Sequence, residues 1–214
     1  MSIAFYLKAR PQNADAVLFY RDLSRIFIGY PAWRKDLAPG TPIGDCIHRL
    51  DDPSWDNPAS VAWEGLSSRR GYQSMITAQR NLVKRIDVGS FAVVPYLSEG
   101  IAYIARISHP YDIEKSPACG ETYLTLRLRQ GLPHTKDDYE SLVGDVVQGW
   151  RTEQWKSISF AALPRWLSSQ IMGRRTLGEL KGRIGSRTAF AAIQELEFAA
   201  QKSGECDLSP TNSS

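Results

Sequence analysis

Six basic residues crowd the stretch from Arg165 to Arg187 (Arg165, Arg174, Arg175, Lys181, Arg183 and Arg187) against one acid, Glu179, and two more arginines stand together at Arg69-Arg70. Guanidinium and ammonium groups gathered in this way suit contact with phosphates, which sets affinity and salt dependence without reading a base. Arg69, Arg70, Arg174 and Arg175 are the candidate phosphate-binding residues, and Lys181 is a further one. A plainer reading exists for the same charges. Arg174 and Arg175 follow Gly173, where a helix C-terminus favours cations, and any one group could be a solvated helix face.

Patterns for catalysis or metal binding are scarce. Cys46 and His48 are two positions apart, His109 and Cys119 ten apart, and no C-x-x-C or H-E-x-x-H spacing accompanies them. There is no G-x-x-x-x-G-K-[ST] phosphate loop and no G-x-S-x-G elbow. No catalytic residue, metal or cofactor is therefore expected, and a binding module is favoured over an enzyme. The carboxylates Asp51, Asp52, Asp56 and Glu64 define the enzymatic alternative, a nuclease with an unrecognised site.

Length and composition bound the rest. The 214 residues, 43% hydrophobic and 23% charged, can build a full core, which argues against general disorder. A net charge of +3 says little, since the clusters matter more than the sum. No run approaches the roughly 20 apolar residues of a membrane helix. Met1 to Lys8 lacks the charged region and long apolar stretch of a signal peptide. Three separated cysteines, Cys46, Cys119 and Cys206, fit a reducing compartment. A cytoplasmic protein with no membrane partner is expected.

The elements that must position these residues read as follows. Apolar and aromatic runs predict strands over 3–9, 25–30, 90–96 and 101–107, the last two joined as a hairpin through Ser98-Glu99-Gly100. Strict alternation from Tyr123 to Arg129 predicts a half-buried strand, and one or two more are expected over 145–159. Helices are expected over 16–24 (capped by Asn13 or Asp15), 72–86, 161–172, 176–180 and 186–202. Residues 36–71 read as a long, loop-heavy insertion, and the tail after Ser203 as disordered. The fold class is α+β, a small curved β-sheet or β-barrel flanked by helices. The division is a domain over 1–185, a C-terminal helix over 186–203 and a tail over 204–214.

Four stretches in this order resemble the PUA-like superfamily, in its EVE and YTH branch, and most nearly the EVE-like modules of modification-dependent restriction systems. They are Ile26-Phe27-Ile28-Gly29-Tyr30-Pro31-Ala32-Trp33 after the first strand and helix; Val88-Gly89-Ser90-Phe91-Ala92-Val93-Val94-Pro95, with Ser90 where the family has Asp; Tyr103-Ile104-Ala105-Arg106-Ile107-Ser108-His109-Pro110-Tyr111, without the family's glycines; and Trp155-Lys156-Ser157-Ile158 with Leu163-Pro164-Arg165-Trp166-Leu167 and Gly173-Arg174-Arg175-Thr176-Leu177.

The resemblance implies a cage of aromatic side chains around an extruded base. Stacking on aromatic faces returns about 1–3 kcal/mol per base, which offsets unstacking when pairing is already weak. By this likeness Tyr30 and Trp33 form a cage wall, with Tyr96 and Trp63 as further base-binding candidates, while Trp155 and Trp166 pack against helices in the core. The expected function is a reader that captures a flipped, methylated or otherwise substituted base in restriction, antiviral defence or regulation. Its partner would be nucleic acid, modified DNA ahead of RNA, with a separate nuclease or effector subunit for cleavage. A protein or small-ligand interaction module using the same aromatic pocket is the other alternative.

Overall fold

Ile3 to Leu7 is an unbroken apolar and aromatic run, and Ala4–Leu7 form strand β1 with every residue buried. A strand apolar at consecutive positions belongs inside a sheet covered on both faces. The computed structural model describes residues 2–28, 82–113, 117–135, 146, 148–173, 175–182 and 186–205. They gather into two units that interleave along the chain. Unit 1 takes residues from Met1–Lys8, Asp87–Ile107 and Thr152–Ser214, and unit 2 from Ala9–Ile86 and Ser108–Arg151. The fold class is α+β, a small curved mixed sheet flanked by helices.

In unit 1, β1 runs parallel to β3 (Phe91–Tyr96), with Ala4 opposite Phe91 and Tyr6 opposite Val93. The buried Ser90 hydroxyl accepts the Ile3 N–H at 3.2 Å and locks this register at its start. The expected hairpin is present: β3 turns through a 3-10 segment, Leu97–Glu99, into β4 (Ile101–Ile107), and Gly100 takes the left-handed φ of 65° that closes the turn. On the far side of β1 lies β7 (Leu177–Glu179), antiparallel to it. Residues 152–159 of β6 (Gln148–Ser159) pair with β4, with a register shift between Ile104 and Arg106 where Gln154 adopts φ 56°. A bulge of this kind bends a strand and increases its twist.

Alternate residues of these strands share one apolar face: Ala4 and Tyr6, Phe91 and Val93, Ala102 and Ile104, with Ile158. Two of the described helices cover it. Helix α3 (Arg165–Ile171) starts directly after Pro164 and contributes Leu167 and Ile171, four residues apart. Helix α4 (Ser186–Glu205) contributes Ala189, Ile193, Leu196 and Ala200, a spacing that keeps one stripe of a helix against the sheet. Trp166 packs against this core, as expected.

In unit 2, helix α1 (Val17–Asp22) buries Val17, Phe19 and Tyr20, and the Asp15 carboxylate accepts the Val17 N–H ahead of it. Strand β2 (Arg25–Phe27) pairs antiparallel with residues 149–151 of β6. Phe19 stacks on Phe27, with ring centroids 6.0 Å apart, and touches Tyr123 at 5.9 Å. Asp112 of the two-residue strand β5 (Asp112–Ile113) bonds the buried Arg25 guanidinium and lies 3.9 Å from Arg151, so it offsets two cross-strand arginines.

Two expected elements are corrected. The stretch 123–129 is no strand but the second half of helix α2 (Pro117–Arg129). Its buried positions, Cys119, Tyr123, Leu124 and Arg127, follow helical spacing. Gly131, at φ 70°, ends the helix: its N–H and that of Leu132 bond the Leu128 and Arg127 carbonyls, a Schellman cap. Conversely, 176–180 is no helix but contains β7, because pairing with β1 outweighs the weak local helical preference of so short a run. The expected 161–172 helix begins at Arg165, behind a 3-10 turn over Phe160–Ala162. Of the expected 72–86 helix only its last residues are described, and 29–81, including most of the insertion, lie outside the described residues.

Candidate functional site

The aromatic candidate that can be placed is Tyr96, the last residue of β3. Its ring stacks on Tyr103 of β4, with centroids 6.5 Å apart and planes at 26°. Tyr103 in turn meets Trp155 of β6 edge-on, at 5.8 Å and 63°. Side chains along a strand alternate between faces. Phe91, Val93 and Ile104 face the helices, so Tyr96 and Tyr103 occupy the opposite face. The three rings thus form a diagonal row across β3, β4 and β6. The Trp155 indole N–H donates to Thr152 Oγ1 at 2.7 Å, which fixes the ring plane. Tyr96 and Trp155 are half-buried, and Tyr103 is buried between them.

This corrects the expected place of Trp155. It is not part of the core beneath α3 and α4 but sits on the sheet face away from them. Its membership of the row was visible in the sequence only through the odd-even parity of β6, and the bulge at Gln154 interrupts that parity.

Of the basic candidates that can be placed, Arg175 lies at the Tyr96 end of the unit 1 sheet and Lys181 at the opposite end. Parallel pairing brings the C-terminal ends of β1 and β3 together, and antiparallel pairing brings the start of β7 beside them. Tyr96, Lys8 and the residues preceding Leu177 therefore share one end. Lys8 commits its ammonium to the Gly173 carbonyl. Arg175 is exposed, and so is Lys181, whose backbone N–H and C=O are both held by the Gln170 amide. Tyr30, Trp33, Trp63, Arg69, Arg70 and Arg174 lie outside the described residues, as do Cys46, His48, Asp51, Asp52, Asp56 and Glu64.

Arg175 has a neighbour that sequence reading missed. The Tyr6 ring packs against Gly178, where an added Cβ would stand 2.6 Å from Cε1 and 2.8 Å from the hydroxyl. Burial raises the Tyr6 phenol above its ordinary value, and the Arg175 charge pulls partly the other way. A raised folded value means that the folded state holds this proton more tightly. The stabilisation is complete below about pH 10, the value in the unfolded chain, and is lost as pH rises through the folded value. Wild type should accordingly lose more thermal stability than Tyr6→Phe between about pH 8 and about pH 11. Parallel melting curves across that range would refute the assignment.

Among the described residues, no three His, Cys, Asp or Glu side chains converge where they could hold a metal ion. No described helix is long and apolar enough to cross a membrane. Comparison with protein-family models, with characterised proteins and with solved structures finds no match to this chain.

Proposed function

We propose that this protein is a nucleic-acid reader of the PUA-like, EVE/YTH type, one that captures a modified base among aromatic side chains. It would act in the cytoplasm in restriction, defence or regulation of modified DNA, with a separate effector supplying cleavage. The observation that supports this reading is the row Tyr96–Tyr103–Trp155, with Arg175 exposed at the Tyr96 end of the same sheet. Rings offer a base its π-face, and a methyl group on that base adds apolar contact. A cation at that end of the sheet suits the phosphate that must follow an extruded base. On this reading Tyr30, Trp33 and Trp63 complete the cage, and Arg69, Arg70, Arg174, Arg175 and Lys181 track the backbone.

The test is a binding titration of wild type and Trp155→Ala against short oligonucleotides, with and without methylated bases. Loss of one stacking partner removes about 1–3 kcal/mol, roughly a five- to 150-fold rise in Kd. The loss should be larger for the modified oligonucleotide. Equal binding of wild type and a folded Trp155→Ala protein would exclude the row from the site. Absence of wild-type binding to any oligonucleotide would remove the reader function itself.

A further inference from the structure

Unit 2 contains a buried cation whose charge the described chain leaves uncompensated. Pro11–Asn13 form a 3-10 turn in which Gln12 (φ 42°, ψ 48°) and Asn13 (φ 69°) both take the left-handed backbone that L side chains disfavour. The turn aims two carbonyls at α2. Pro11 O accepts the Tyr123 hydroxyl at 3.0 Å, and Gln12 O accepts Arg127 Nη1 at 3.1 Å. The Tyr123 oxygen lies 3.4 Å from the same Nη1, and its ring centroid 5.8 Å from Arg127 Cζ. Arg127 is only 7% exposed.

Among the described residues no carboxylate forms an ion pair with Arg127, and its Nε is buried without an acceptor. The nearest acid along the turn, Asp15, turns its carboxylate to the Val17 N–H. Arg10 before the turn and Arg129 at the end of α2 are exposed and add positive charge. A guanidinium does not shed its proton in a protein, so burial cannot neutralise it. The neutral acceptors around Nη1 satisfy one corner of the planar fork. The straight edge formed by Nε and Nη2 remains, and that edge grips two oxygens of a carboxylate or phosphate in parallel.

We propose that Arg127 is the receptor for an oxyanion, a carboxylate or phosphate group held bidentately by Nε and Nη2, on a pedestal made by the strained Pro11–Asn13 turn and Tyr123. Backbone strain of this kind is retained where it positions a working group. Nε lies below the surface, so the anion seats with a shift of the side chains over it.

The full chain is titrated with sodium phosphate and separately with sodium acetate, at ionic strength held constant with chloride. The Arg127 side-chain Nε–H signal and the Gln12 and Asn13 amides are followed by NMR. A saturable shift with phosphate, acetate or both supports the site and identifies the group it takes. Arg127→Lys keeps the charge and loses the fork, so the response at Gln12 and Asn13 should weaken by about tenfold or more. Arg129→Gln should retain it. If Arg127→Lys fails to fold, the wild-type Nε–H titration decides alone. Shifts that never saturate, or that chloride reproduces, overturn the proposal. No nucleic acid enters this experiment, so its failure is distinct from failure of the reader function.

Discussion

Gly149→Ala is expected to cost about 3 kcal/mol or more, or to prevent accumulation of folded protein, because the clash is with backbone rather than with a movable side chain. Gly149 lies opposite Phe27 where β2 pairs with β6. A Cβ built there would stand 1.8 Å from the Ile26 carbonyl oxygen, 2.8 Å from its carbon and 3.0 Å from Phe27 Cα. None of these atoms can rotate away. The strands would have to separate, and with them the bond from the Ile28 N–H to the Gln148 carbonyl. The buried rings of Phe27 and Trp150 would lose their seating as well. Urea unfolding of the purified variant measures the cost. A value below about 1 kcal/mol would mean that β2 yields easily and that its pairing contributes little.

Glu197→Ala is the second large effect, expected near 3 kcal/mol. Glu197 sits on the buried stripe of α4 with its side chain 8% exposed, and its Oε2 accepts from Arg106 Nη2 of β4 at 2.9 Å. The guanidinium also lies over the Phe91 ring, 4.9 Å from its centroid. Removing the carboxylate leaves a positive charge against apolar surface, which costs far more than the pair itself contributes. The cost stays at the low end for a broken buried pair because the Arg106 side chain keeps 34% exposure and can turn partly to water. The second nitrogen and oxygen, Arg106 Nε and Glu197 Oε1, are both buried without a partner, so the fork is only half engaged. It follows that Arg106→Met combined with Glu197→Leu should recover most of the lost stability. A double variant no more stable than Glu197→Ala would show that the pair is more than a compensated charge.

Where local pattern and tertiary packing agree, the sequence is a faithful guide. The hairpin of β3 and β4 is legible because two apolar runs flank Ser98-Glu99-Gly100, and the structure uses Gly100 at positive φ to close it. The α4 stripe is legible because Ala189, Ile193, Leu196 and Ala200 repeat at helical spacing. Residues 123–129 mislead because Leu124, Leu126 and Leu128 alternate as in a strand, yet Leu128 is 55% exposed. The better signals were terminal ones, Pro117 at the first turn and Gly131 just past the last. Residues 176–180 mislead for the opposite reason. Nothing local in Leu177-Gly178-Glu179 announces a strand, and its place is set by β1, more than 160 residues earlier, together with the Tyr6 ring that only a glycine can accommodate. Tyr96 could be singled out from its position at a strand end. Tyr103 and Trp155 could not, since their meeting depends on the β4–β6 register and its bulge.

The interleaving of the two units has a consequence for how the chain is made. The opening strand of unit 1 pairs in parallel with β3, and the bond from the Ile3 N–H to Ser90 closes a span of 87 residues. The apolar face of that pair is then covered by α3 and α4, which lie beyond residue 164. A protein synthesised from its N-terminus must hold β1 unpaired from β3 while the whole of Ala9–Ile86 emerges, and must leave the unit 1 core uncovered until α4 is out of the ribosome. Such long-range closure is slow, and it leaves an apolar strand open to wrong partners in the interval. Unit 1 is therefore covered only once α4 has been made, and removing α4 strips the cover from a sheet whose strand β1 was made long before.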